Sequence, residues 1–139
     1  MASLGNMLGA AVFFAAAAHR AAEAEREGLA KAAKIIEDGA KEAIGSFLFG
    51  WPALKPETVS RKATGNSPLL ETGELRNSIS HEVSEHSAIV GSTSEKARFH
   101  EFGTSRGIPP RPFIWGSWLH NQEKVGEAVG DAVVKRLGL

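Results

Sequence analysis

Cysteine is absent from these 139 residues, which excludes disulfides and thiolate-bound metals and suits a reducing cytoplasm. Net charge is absent too, with 16 Lys and Arg set against 16 Asp and Glu. A balanced chain lacks the basic footprint of a nucleic-acid binder, and little self-repulsion opposes its association. No apolar run is long. Leu4 to Ala18 is nearly uncharged, yet it falls short of the about 20 apolar residues that a membrane span needs. It also lacks the basic segment that precedes a secretory signal's apolar core. A retained helix, buried or facing a partner, is therefore expected. There is no HExxH, GxSxG or P-loop, and no carboxylate cluster at metal-ligand spacing. No catalytic residue, metal or cofactor is predicted. No repeat or long linker interrupts the chain, so its length points to one domain over residues 1–139.

Helix formers dominate the first third of the chain. Residues 3–48 are rich in Ala, Glu, Lys and Arg, the best helix formers, with Ser3 as a candidate N-cap. From Leu29 the apolar positions (Leu29, Ala32, Ala33, Ile36, Ala40, Ala43, Ile44 and Phe47) keep helical spacing. Glu27–Lys31 and Glu37–Lys41 are favourable i,i+4 pairs. Unbroken, such a helix would run about 70 Å, longer than a small domain is wide. Two readings stay open. The helix breaks, at Gly28 or Gly39, into a kinked core element, or residues 1–28 form an extension that meets neighbouring subunits. The first half is apolar nearly all round, so Leu4, Leu8, Val12 and Phe14 are the candidate interface residues.

Gly50, Pro52 and Pro56 end that helix, and Trp51 and Leu54 are expected to pin the connection to the core. A short helix over Glu57–Lys62, a loop over Ala63–Pro68 and a turn opened by Thr72 follow. From about Arg76 an alternating pattern (Leu75, Asn77, Ile79, His81, Val83) marks a half-buried strand. Ser87–Ser92 is its return strand in an antiparallel hairpin, and Gly107–Ile114 is an available third, edge strand. Trp115–Leu137 reads as a closing helix with Trp118, Gln122, Val125, Val129, Ala132 and Leu137 on one stripe. The fold class is α+β: a long N-terminal helix and a C-terminal helix packed on a small antiparallel sheet.

The densest stretch is Phe99–Phe113, FHEFGTSRGIPPRPF, with three of the seven Phe and three of the six Pro. A helical turn from Lys96 is closed by Gly103, since glycine tolerates the positive φ past a helix end. Pro109, Pro110 and Pro112 stiffen the arm that follows. Phe113 is expected to be buried, with Phe102 near it. Arg111 is either an exposed side chain in a proline-rich loop or one locked into a bidentate pair with Glu101 or, second, Glu74. Adjacent His100 and Glu101 do not share a helix face, so His100 reads as a locally hydrogen-bonded residue. Trp115 and Trp118 read as core anchors or as an intersubunit hot spot, and Arg111 and Phe113 join them as candidate assembly residues.

HEFG followed by IPPRPF resembles the signature of phage tail-completion, or head–tail joining, proteins of long-tailed double-stranded DNA bacteriophages. WPALKPETVSRK (Trp51–Lys62) and SPLLETGELRNSIS (Ser67–Ser80) are similar to two further segments of that family, in the same order, so the likeness covers roughly residues 51–114. It places Trp51, Leu54, Gly73, Leu75, Arg76, His100, Glu101, Phe102, Gly103, Pro110 and Pro112 at motif positions. It implies a structural protein of the virion neck, made in the host cytoplasm and acting at the head–tail junction as a homo-oligomeric ring, of six by analogy with the tail's symmetry. Its implied partners are connector, tail-terminator or tail-tube proteins, with DNA passing through the lumen without sequence-specific binding, and no membrane. Two other readings compete: a DNA-binding protein lining the neck channel, and a membrane-associated protein using its apolar N-terminus.

Overall fold

A computed structural model describes residues 4–139. Ser3 and the side chain of Leu4 lie outside the described residues. Helix α1 (Leu4–Ala43) is followed by α2 (Pro56–Arg61), α3 (Glu74–Asn77), β1 (Ile79–Val83), β2 (Ala88–Ser92), α4 (Ala97–Phe102), α5 (Ile114–His120) and α6 (Gln122–Leu137). The class is α+β, as the sequence predicts.

Helix α1 is continuous over 40 residues, about 60 Å. Neither candidate glycine breaks it. Both serve close packing against the antiparallel α5–α6 pair instead. Gly28 faces Val129, and a methyl group on Gly39 would collide with the side chains of Ser117 and Asn121. Ser117 is fully buried, and its hydroxyl donates to the Ile36 carbonyl at 2.7 Å. Ala24 on α1, with Val125 and Ala132 on α6, is buried as well. Small residues bring the helix axes close enough for continuous van der Waals contact.

The C-terminal helix is two elements rather than the one expected. They meet at Asn121 (φ −110°, ψ 13°), whose side-chain amide donates to the Ser117 carbonyl at 2.9 Å. The Asn121 backbone amide donates to the same carbonyl at 3.0 Å, so the side chain adds a second donor where the two helices meet, beside Gly39.

Charge fixes the far end of the seam. Glu27 accepts from Arg136 at 2.6 Å and pairs with Lys31 at 3.1 Å and Lys135 at 3.4 Å. The Arg136 hydrogen bond, then that of Lys31, holds the Glu27 carboxyl down at about 2, from an ordinary 4.5. A depressed carboxyl contributes stability above its unfolded pKa and loses it as pH falls through the folded one. Stability should therefore drop between about pH 4.5 and about pH 2. Glu27→Gln should flatten that span of an acid-unfolding curve, and an unchanged curve would show that the cluster contributes nothing.

The hairpin packs across the second half of α1. Its register pairs Ile79 with Ser92, His81 with Val90 and Val83 with Ala88. Alternation holds along β1, with Ile79 buried and Ser80 and Glu82 exposed. His81 Nδ1 meets the Glu37 carboxylate, which also accepts from Lys41 at 2.8 Å. Lys41 first, then His81, pull the Glu37 carboxyl below its ordinary range against the opposing effect of burial. Asn77, expected on the buried parity of the strand, is exposed in α3 instead.

The sheet has two strands among the described residues, so the expected third strand does not form. Pro109, Pro110 and Pro112 have no amide hydrogen to give a ladder. Between them, the Arg111 amide donates to the His100 carbonyl at 2.7 Å, which ties the arm to α4 rather than to the sheet.

Candidate functional site

The signature stretch folds as a closed loop locked at three places. At Gly103 φ is 72°, and a Cβ there would lie 2.8 Å from the Ile108 carbonyl oxygen and 2.9 Å from Pro110 Cδ; only glycine fits. The Thr104 amide donates to the Ile108 carbonyl at 2.9 Å, closing the turn, and the Arg111–His100 bond closes the arm. The third lock is Glu101. Its Oε2 accepts from the amides of Phe113 (3.0 Å) and Ile114 (3.1 Å), and its Oε1 from that of Trp115 (2.8 Å). One carboxylate thus satisfies donors that a helix start leaves open, at the positive end of the helix dipole.

Glu101 is therefore not the partner of Arg111, and neither is Glu74, which pairs with Lys96 at 3.3 Å. The Arg111 guanidinium donates to the Pro52 carbonyl at 3.2 Å. Arg111 is only 7% exposed, its Nε has no partner, and burial lowers its pKa. It borders a cavity of about 720 Å³ shared with Lys55, Arg61, Lys62, Lys96 and His100. Burial first, then the charges of Arg111, Lys62 and Lys96, push the His100 pKa down. The expected ion pair fails because Glu101 is more strongly used elsewhere: three amide hydrogens converge on it.

A buried cation without a carboxylate is weak support for a fold. Arg111→Met should therefore leave denaturant stability unchanged or slightly higher, since exposed Pro52 can turn its carbonyl to water. A loss above about 2 kcal/mol would show that the single carbonyl contact matters more than the charge burial.

Phe113 is fully buried with Ala40, Ala43, Ile44, Trp51, Leu75 and Ile79. Leu54 is half-buried. Phe102 is 79% exposed and stands apart from that cluster, because α4 turns it outward. Gly73, at φ 85°, precedes α3, and the Thr72 hydroxyl accepts from the Glu74 amide at 3.3 Å. Arg76 donates to the Ile44 carbonyl at 2.5 Å, placing a cation on the C-terminal end of α1. Sequence reasoning missed this contact, as nothing local links residues 76 and 44.

Two apolar surfaces stand out among the described residues. N-terminal to Glu23, nearly every described residue of α1 is exposed, because α6 ends where Arg136 meets Glu23. About 30 Å of helix projects with Met7, Leu8, Val12, Phe13 and Phe14 all at least 60% exposed. The second surface is a groove of about 520 Å³ between the hairpin, α4 and α5, lined chiefly by Val90, Ala97, Phe102, Ile114, Trp115 and Trp118. Trp115 is exposed and Trp118 half-buried. No helix among the described residues is long and apolar enough to cross a membrane.

The signature loop is spent on structure, while the projecting half of α1 and the groove both leave apolar side chains exposed. The chain belongs to the phage virion morphogenesis family, whose model matches residues 38–134. That span holds the hairpin, the signature loop and most of α5–α6, and leaves the projecting half of α1 outside it. Searches of curated proteins and of solved structures returned no match.

Proposed function

We propose that this chain is a structural subunit of the phage neck, which completes the tail or joins it to the filled capsid as a ring around the DNA channel, most plainly a ring of six. The observation that carries this reading is the family match over residues 38–134, read together with a signature loop whose polar groups are spent on holding itself together. Glu101 is saturated by three amides, so the motif's conspicuous carboxylate holds structure rather than a substrate. The partners are further copies of the chain and the connector, tail-terminator or tail-tube proteins. DNA crosses the lumen without sequence-specific contacts, in line with zero net charge.

The experiment is removal of this reading frame from the phage or prophage that carries it. Filled heads and separate tails should accumulate in the lysate under the electron microscope, and adding the purified protein should join them. Intact infectious particles in its absence would refute the reading.

A further inference from the structure

We propose that the projecting segment of α1 in one copy seats in the groove between hairpin, α4 and α5 of a second copy, so that each chain gives one helix and receives one. The proposal rests on the reading of the chain as a ring subunit and names the contact that would build the ring.

Reach rules out self-docking. Ile36 of α1 is itself part of the groove wall, and Phe14 lies about 33 Å away along the same straight helix at about 1.5 Å per residue. The helix is continuous between them, so it cannot fold back, and any α1 tip in the groove comes from another molecule.

Shape and charge match. Met7, Ala11 and Phe14 follow one another at i, i+4 and i+7, with Leu8 and Val12 beside them, giving a broad apolar face. Residues 5–18 contain no Asp, Glu, Lys or Arg. The groove's two charged neighbours are already engaged: Glu101 by three amides, and Arg98 by the Phe99 ring, 4.9 Å from its centroid. An uncharged helix therefore strands no charge there. Covering the four large side chains of that face and the alanine between them would bury on the order of 500 Å² per partner, near the low end for specific interfaces. The two surfaces differ from each other, so the contact is head-to-tail, and such contacts close into rings or run on as filaments.

The absence of Cys makes a direct test possible. Phe14→Cys and Phe102→Cys chains of different tag length are mixed and oxidised. A heterodimer linked between residues 14 and 102 is expected in excess over either homodimer; its absence would overturn the proposal. Val12→Asp and Phe102→Asp, both at exposed positions where folding is not at stake, should each weaken self-association more than about tenfold. Their equimolar mixture keeps one good helix and one good groove, and should stop at a two-chain species. Either variant assembling like the wild type would overturn the contact. Should those variants and the wild type form the same closed oligomer, the ring reading survives and this contact falls. Should the wild type also fail to join heads to tails, the ring reading falls with it.

Discussion

Phe113→Ala should cost about 3–5 kcal/mol, the range for truncating a buried aromatic. Phe113 is fully buried and sits where the signature arm ends and α5 begins. It shares one buried cluster with Ala40 and Ala43 at the C-terminal end of α1, with Ile44 just beyond it, and with Ile79 of the hairpin. These come from two separate parts of the chain, so a local adjustment cannot close the void that a truncation leaves. A chain of this length has about 7–20 kcal/mol of total stability, so the variant should unfold at a clearly lower denaturant midpoint. A change below about 1 kcal/mol would mean that the core relaxes freely around the site.

Glu101→Ala should be nearly as damaging, at about 2–4 kcal/mol, because it removes the acceptor of three amides at once, two of them part-buried. Glu101→Gln separates charge from geometry. Oε2 alone serves Phe113 and Ile114, so an amide that turns its NH2 to that side clashes with two donors, and one that turns it the other way clashes with Trp115. The glutamine variant should therefore remain destabilised, by about 1–3 kcal/mol. If Gln restores wild-type stability, the carboxylate is not the organising group of the loop. Denaturant titration of both variants beside Arg111→Met decides which of the two charged signature residues holds the fold.

Much of this architecture is legible in the sequence because it is local. Helix periodicity from Leu29, the alternation around Ile79, and the stops at Gly50, Pro52 and Gly103 each depend on residues within a few positions of one another. The readings that failed are tertiary. Gly28 and Gly39 look like helix breakers, yet they are points of close approach to α6 and α5, which only the packed pair reveals. Arg111 next to two prolines suggests a locked ion pair with Glu101, but the carboxylate is claimed by amides 12 to 14 residues away. The third strand fails on donor count, which the prolines announce in advance. Of the two readings of α1, the continuous helix excludes the kinked one, and contact of its projecting half with neighbouring subunits is a proposal. That half projects because α6, with 16 residues, is too short to cover a helix of 40.

The central claim is that the core folds without the first half of α1 and that this half exists for assembly. Native mass measurement of the full chain beside one lacking residues 2–18 tests it most directly. The full chain should give a single closed oligomer, of six copies on the ring reading. The shortened chain should give a folded monomer with an unchanged cooperative unfolding transition. A shortened chain that does not fold, or one that forms the same oligomer as the full chain, would contradict the account.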